Sequence, residues 1–410
     1  MIVAHVGPPL ARTGGPAGYL YQLQSAAADA PSARHEVRFP VTRRAATPSA
    51  AQRSDVWSVL GRVKRALFGE PDFYRPPEED LTKRGGNIDR MMRELTDRIR
   101  ADTAASLETA AGADVILTHD SFSTEAAIGR RRPGQRIWMM CHAVTPIGLY
   151  AAWSWGVPEA DWQSLLALPD VSWWCDWELG VWKQVDGVII PCAEAAESFA
   201  TIDARFGEVL AGARYALSGA SAPSSRGGGA DLFSGRQPTH RIGLYLGSPE
   251  PYRGFDALVE AVQLLPLDAD VGVAVAGPDP ARVPPHPLLR PLGRVEDVGA
   301  LLASVDFLIN VNRFTLFDLS TIEAVQAGRP LLLHAVGGNR TFERLGAGCI
   351  MLGDLAPRTI ADRLMEVAAL DRATLDALGR KSRECWERHL TPRHMWERHL
   401  ALYDEIAESR

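Results

Sequence analysis

Ten short apolar runs recur along the chain with helical patterns between them, and this alternation constrains the fold more than any other feature. In the first half they read "MIVAHVG", "HEVRFPV", "ADVILTHD", "QRIWMMCH" and "DGVIIPC". In the second they read "RIGLYLG", "DVGVAVAG", "DFLINVN", "RPLLLHAV" and "CIMLG". A strand that is apolar on both faces must be covered on both faces, and helices between such strands supply the cover. The expected class is therefore α/β, with parallel sheets wound by helices on each side. A chain of 410 residues exceeds one ordinary core, so two domains are expected. The Gly-, Ser- and Pro-rich stretch 218–240 reads as the linker, leaving 1–217 and 241–390 as Rossmann-like doubly wound domains facing across a cleft. Residues 391–410 start with Thr391 and Pro392, an N-cap followed by the first helical position. They are expected to form a helix that packs back on the first domain.

Charge and composition remove several function classes. The net charge is −6, which argues against nucleic acid as the main partner. No apolar run reaches the length of a membrane span, and the N-terminus enters a strand directly, so neither a signal peptide nor a transmembrane helix is expected. Cys141, Cys175, Cys192, Cys349 and Cys385 are scattered without C-x-x-C spacing. That pattern fits neither a disulfide framework nor a zinc site and suits the reducing cytoplasm. Two regions fit the plan poorly: residues 44–100, with the basic amphipathic "WSVLGRVKRALFG", and 153–182, which hold seven of the eleven tryptophans.

Ligands of a doubly wound sheet bind at the carboxyl ends of its strands. The first such loop, "GPPLARTGGPAGYLYQL", carries Gly14 and Gly15 ahead of a helix. It serves either as a plain turn or as a close backbone approach to an anion at a helix N-terminus. Its spacing is not G-x-G-x-x-G. In "LYLGSPEPYRGFD", Arg253 precedes a helix and could hold a phosphate; a solvated loop arginine is the simpler reading of that residue alone. The stretch "NRFTLFDLSTIEAVQAGRPLLLHAVGGN" then places two carboxylates at the start of an otherwise apolar helix. Asp318 is a natural N-cap as well as a candidate ligand. Glu323 is harder to explain locally, because a carboxylate on a buried helix needs a partner. Free amides at 317–320 beside two carboxylates suit a diphosphate and a polyhydroxylated ring, the combination found in a nucleotide-sugar.

In order along the chain, "GPPLARTGGPAGYLYQL", "MMCHAVTP", "ELGVWKQVDGVIIPCAEAAESF", "GSPEPYRGFD", "AGPDP", "LGRVEDVGALLASVDFLINVN", "LFDLSTIEAVQAGRPLLLHAVGG" and "LTPRHMWERHLALY" resemble the retaining GT-B glycosyltransferases of family 4, the glycosyl transferases group 1. The resemblance leaves out roughly 44–100 and 147–177. It implies that Gly14 and Gly15 face the donor diphosphate and that His142 lies near the sugar. It places Arg253 as the cation on the diphosphate and Glu323 on the ribose hydroxyls. Phe317, Asp318, Leu319 and Ser320 would offer backbone amides. Two departures stand out. Thr315 occupies the position of the family's first glutamate, and Ser248 that of an arginine. Asp318 is the candidate replacement carboxylate, and Arg313 or Arg340 the candidate replacement charge.

Other residues carry open alternatives. His119 and Asp120 end a strand and serve either acceptor contact or strand-end capping. Trp153 and Trp155 belong to a cluster that reads first as core and cleft wall, and second as a stacking surface for an acceptor. The basic amphipathic stretch either packs on its own domain, the preferred reading, or contacts an anionic membrane surface. The implied activity is a cytoplasmic, bacterial glycosyltransferase, with catalytic residues His142, Arg253 and Asp318, a nucleotide-diphosphate sugar as donor substrate and a small molecule or glycan as acceptor. No cofactor is implied, and no metal, since no Asp-x-Asp motif lies on a strand-end loop. The alternatives are a non-catalytic GT-B partner or ligand-binding subunit, favoured by Thr315 and Ser248, and a sugar-nucleotide epimerase.

Overall fold

The computed structural model describes residues 1–8, 15–40, 78–156, 161–221, 232 and 241–409, with backbone only for 78–87 and 155–156. Gly14, most of the 218–240 stretch, the basic segment "WSVLGRVKRALFG" and the Trp155 side chain lie outside the described residues.

Two six-stranded parallel sheets form the frame. The first contains β1 (Ile2–Val6), β2 (Glu36–Arg38), β3 (Val115–Thr118), β4 (Arg136–Met140), β5 (Gly187–Ile190) and β6 (Arg214–Tyr215), in the order β2-β1-β3-β4-β5-β6. The second contains β7 (Arg241–Leu246), β8 (Val271–Ala276), β9 (Leu289–Gly293), β10 (Phe307–Asn310), β11 (Leu331–His334) and β12 (Cys349–Leu352), in the order β12-β11-β10-β7-β8-β9. Every pairing is parallel, as in Val3 opposite Val115 and Leu308 opposite Leu331. The physical cause is visible in β3 and β8, whose residues are all buried: only a sheet covered on both faces accommodates them. The fold is thus α/β with two Rossmann-like domains, as the strand pattern indicated. Sequence pattern missed β6 and β9. The former is two exposed residues and the latter contains Pro291, both marks of an edge.

The domains share a core. One contiguous buried cluster runs from Met139, Val188 and Phe199 in the first domain to Leu316, Phe317 and Phe342 in the second. The two regions that fitted the strand–helix alternation poorly also meet. The Glu78–Thr109 helix buries Ile88 and Met92 against Trp153 and Trp174, in a cluster that reaches Tyr252 and Phe314 of the second domain. Trp174 Nε1 donates to Asp89 (3.2 Å).

The last helix, Pro392–Glu408, leaves the second domain and lies on the first, capped by Thr391 and opened by Pro392. It buries Met395, Trp396, Leu402, Tyr403 and Ile406 against Val3, Tyr19 and Leu23. Trp396 Nε1 donates to the Ala30 carbonyl at 2.7 Å. Trp396→Ala should empty that seat and lower stability by about 3–5 kcal/mol, the range for large-to-small changes at buried aromatics. Chemical denaturation read by a first-domain probe checks it.

Candidate functional site

Each sheet reverses its strand order once, between β1 and β3 in the first and between β7 and β10 in the second. The crevice outside the carboxyl ends of the strands at such a reversal is where open α/β sheets receive ligands. The candidate residues gather at these two places.

At the second reversal, β7 leads into a short turn, Pro251–Arg253, and β10 leads through Asn310 and Asn312 to the Leu319–Gln326 helix. The two loops are drawn tight by Gly254. Its φ of +64° is left-handed, and a Cβ there would fall 2.0 Å from the Val311 carbonyl oxygen. Arg253 is thereby set against Asp318. Its Nη1 donates to Asp318 Oδ2 at 3.0 Å, and the same oxygen accepts from Asn310 (3.2 Å) and Asn312 (2.6 Å). Asp318 stands at the N-cap position, as the sequence suggested, but its side chain makes no bond to the helix, so the carboxylate itself does not cap. The carboxylate turns away from the helix because a buried guanidinium and two amides lie on the other side. Burial opposes the charge on Arg253, and Asp318 together with Tyr252 and Tyr245 outweighs that penalty, so the guanidinium is held more firmly protonated than usual.

The helix mouth keeps free donors. The N–H groups of Thr321 and Ile322 bond the Asp318 carbonyl at 3.1 Å each. Those of Leu319 and Ser320 have no acceptor among the described residues. Phe317 contributes backbone only, because its ring is buried and stacked on Phe342 at 4.2 Å. One turn in, Glu323 is half-buried and has no hydrogen-bond or ion-pair partner among the described residues. Burial alone pushes its carboxyl up to about 7.

The replacement charges foreseen at Arg313 and Arg340 are not available. Arg313 forms a two-pronged pair with Asp256 (2.8 and 2.7 Å), and Arg340 is paired with Glu197. Thr315 is equally committed: Ser198 Oγ donates to its carbonyl at 2.9 Å and accepts from its N–H at 3.0 Å, while Thr315 Oγ1 is buried without a partner.

At the first reversal, Gly15 opens the Gly15–Asp29 helix and is exposed. His142, just after β4, is half-buried, and its Nε2 lies 2.8 Å from His119 Nδ1. Burial, then the neighbouring His399, pushes the His142 imidazolium down to about 3. His119 is buried and its ring nitrogens bond His142 and His5, so its side chain is spent inside the domain and not on an acceptor. Asp120 caps the Ser121–Ile128 helix, accepting from Ser123 N (2.7 Å). Trp153 is buried and packs across the domain boundary on Tyr252 and Phe314, at 6.5 and 6.3 Å between ring centres. The core reading of the tryptophans holds there.

Sequence reasoning missed His5, Asn310, Asn312, Ser198, Glu197 and Tyr403. A histidine inside an all-apolar strand, or an asparagine at a strand end, was the only local signal for any of them. Also missed was Glu178, a buried carboxylate that accepts from Ser121 Oγ and Ile147 N (2.6 Å each) and is pushed up to about 7 by burial. Among the described residues no helix is long and apolar enough to cross a membrane.

The frame and the paired reversals define the GT-B class of fold, and comparison with solved structures agrees. The chain is similar to sucrose-phosphate synthase from Thermosynechococcus elongatus, with TM-score 0.62 and 16% identity over 100% of both chains. It is similar to HepE from Anabaena in complex with UDP and glucose, with TM-score 0.58 and 13% identity over 99% of this chain and 100% of that one. It is also similar to WaaG, a glycosyltransferase involved in lipopolysaccharide biosynthesis, with TM-score 0.55 and 13% identity over 94% and 95%. Residues 240–369 match the family described as glycosyl transferases group 1, so the resemblance noticed in the motifs is met in the second domain. No curated protein sequence matches the chain.

The Arg253–Asp318 pair is 22% and 10% exposed at its two side chains. Asp318→Ala should cost about 3 kcal/mol, the low end for stranding one member of a buried pair. A mere cap would cost about 1 kcal/mol. Urea unfolding of Asp318→Ala beside Asp318→Ala/Arg253→Met separates the two: removing both charges should restore most of the loss.

Proposed function

We propose that this chain is a GT-B glycosyltransferase that moves a sugar from a nucleoside-diphosphate donor to an acceptor hydroxyl with retention of configuration. Natural-product or cell-envelope glycan synthesis in a bacterial cytoplasm is the setting that fits it. The observation that carries the reading is Glu323, a half-buried carboxylate with no partner among the described residues, one turn inside a helix mouth with free N–H groups. A carboxylate held out of water without a partner is costly, and ribose hydroxyls would supply the missing donors.

In this reading the diphosphate lies across the mouth of the Leu319–Gln326 helix. The free N–H groups of Leu319 and Ser320 and the helix dipole stabilise it there. Arg253 faces it from the side, and Gly15, at the start of the first domain's Gly15–Asp29 helix, is the candidate contact from the first domain. Asp318 Oδ2 is occupied by three donors, whereas Oδ1 accepts nothing among the described residues and remains for a sugar hydroxyl in place of the glutamate absent at Thr315. During transfer the bond from the anomeric carbon to the diphosphate oxygen breaks, and a bond to the acceptor oxygen forms on the same face. The acceptor proton passes to the departing diphosphate. His142, neutral at physiological pH, orients and polarises without serving as the obligatory base. UDP bound to the similar HepE supports a uridine nucleotide as the first to try.

A second reading, a GT-B protein that binds donor without transferring, is favoured by one observation: Asp318 cancels the charge of Arg253. A thermal-shift screen with nucleotides and nucleotide-sugars tests both readings, since a ligand at 100 times its Kd stabilises by about 2.7 kcal/mol. Sugar release or transfer from the stabilising donor supports the enzyme; tight binding with no turnover supports the second reading.

Glu323→Gln should weaken the nucleoside diphosphate roughly ten- to hundredfold, since a charge-assisted hydrogen bond contributes about 1.5–3 kcal/mol. The sign with pH follows from a folded pKa of about 7. As pH falls through 7 the carboxylate gains a proton and accepts more weakly. Parent affinity should therefore drop relative to Glu323→Gln below pH 7, and the gap between them should narrow. Calorimetry at pH 8 and pH 6 checks this, and a gap that is the same at both would remove Glu323 from the ribose.

A further inference from the structure

Three imidazoles and one phenol form a continuous line through the first domain. Tyr403 Oη lies 2.7 Å from His5 Nε2, His5 Nδ1 lies 2.9 Å from His119 Nε2, and His119 Nδ1 lies 2.8 Å from His142 Nε2. The elements that supply them are the C-terminal helix, β1, and the ends of β3 and β4. Adjacent rings are nearly parallel, 29° apart for His5 and His119 and 15° for His119 and His142. Gly7 makes the space, since a Cβ there would lie 2.8 Å from the His119 Cβ. Tyr403, His5 and His119 are buried, and His142 is the one member with partial exposure.

A neutral imidazole has one N–H and one lone pair, so each ring-to-ring bond needs a donor on one side and an acceptor on the other. Burial holds all three rings neutral. Only two arrangements of protons then satisfy the line. In the first, Tyr403 donates to His5 Nε2, His5 Nδ1–H donates to His119, and His119 Nδ1–H donates to His142 Nε2. His142 is left carrying its proton on Nδ1. In the second every bond is reversed, and His142 Nδ1 is a bare lone pair. The reversal turns Tyr403 into an acceptor and leaves its own O–H needing another acceptor. Tyr403 Oη makes no second hydrogen bond among the described residues and is fully buried, so the second arrangement strands a buried donor, which is unfavourable.

His399 and Tyr19 do not compete. His399 Nδ1 donates to the Met395 carbonyl (2.9 Å), so its Nε2 accepts from Tyr19 Oη (2.9 Å). The hydroxyl of Tyr19 is thereby turned away from His142, against which its ring packs edge-on at 4.7 Å.

We propose that Tyr403, through His5 and His119, is a positioning residue that fixes His142 as the Nδ1–H tautomer, so that the cleft meets a hydrogen-bond donor and not a base. This rests on His142 acting in the glycosyl-transfer site proposed above, and it adds the polarity of the residue and the device that sets it. The line cannot be drained of protons, because giving one up at His142 would finally ionise Tyr403, whose burial pushes its pKa far up. It therefore holds a donor in place and is not a relay.

The test is nitrogen-15 NMR of the histidine-labelled 410-residue chain, with the His142 resonances assigned through His142→Gln. The expected parent spectrum has a protonated Nδ1 and an unprotonated, pyridine-type Nε2 at His142. Tyr403→Phe keeps the packed ring and removes the hydroxyl, and His119→Asn cuts the line nearer its end. In each, the His142 signals should move toward a mixture of tautomers while the melting transition stays cooperative. A parent His142 protonated on Nε2, or unmoved signals in both variants, overturns the assignment. With the donor found by the nucleotide-sugar screen, Tyr403→Phe should lower turnover about tenfold or more with donor KM unchanged, as a mis-set tautomer does in a catalytic histidine. Unchanged turnover beside a shifted tautomer overturns the positioning role; because the NMR reads the line without any substrate, that result is distinct from failure of the transferase reading itself.

Discussion

The pair of hydrogen bonds between Ser198 and the backbone of Thr315 fixes the geometry on which the candidate site depends. It crosses the domain boundary, both bonds are buried, and both partners on the second domain are main-chain groups. The loop they pin runs from residue 313 to 318 and delivers the Leu319–Gln326 helix mouth. Once it is pinned, Asp318 stands beside Asn310 and Asn312, and Arg253 has a fixed counter-charge. Glu197 and Glu194 extend the same seam to Gly337, Arg340, Thr341 and Arg344. The site is thus assembled by contact between the domains as much as by either sheet.

That assembly has an electrostatic consequence. Each arginine near the helix mouth has a carboxylate of its own: Arg253 with Asp318, Arg313 with Asp256, Arg340 with Glu197. An anion arriving there meets paired charges and unpaired backbone dipoles. On the proposed reading, the free N–H groups of Leu319 and Ser320 would therefore carry more of the work of holding a diphosphate than a net positive field, and they act only at short range.

How much of this was legible in the sequence varied with the range of the interactions. The strand pattern of β3, β8 and β10 is set by burial on both faces, a local consequence of composition, and it could be read directly. Glu323 was legible because an acid on an apolar helix conflicts with its neighbours. Asp318 was misread in part: capping is a preference expressed within four residues, whereas Arg253 is 65 residues away. For Trp153 the preferred core reading held, but its partners, Tyr252 and Phe314, could not be read because they belong to the other domain. His5 gave no functional signal, since nothing within β1 reveals that its two ring nitrogens are met by residues 114 and 398 positions distant.

The last of those separations bears on how the protein is made. The first domain's sheet is complete in sequence by Tyr215, yet the face formed by Val3, Tyr19, Leu23 and Trp138 is closed only by the Pro392–Glu408 helix. During synthesis that face stays uncovered while the whole second domain is translated, and the buried ring of His5 waits for a hydroxyl that has not yet been made. Domains usually fold as units in the order they emerge. Here the first to emerge is the last to close, so its early, half-covered form is the species on which a chaperone would act.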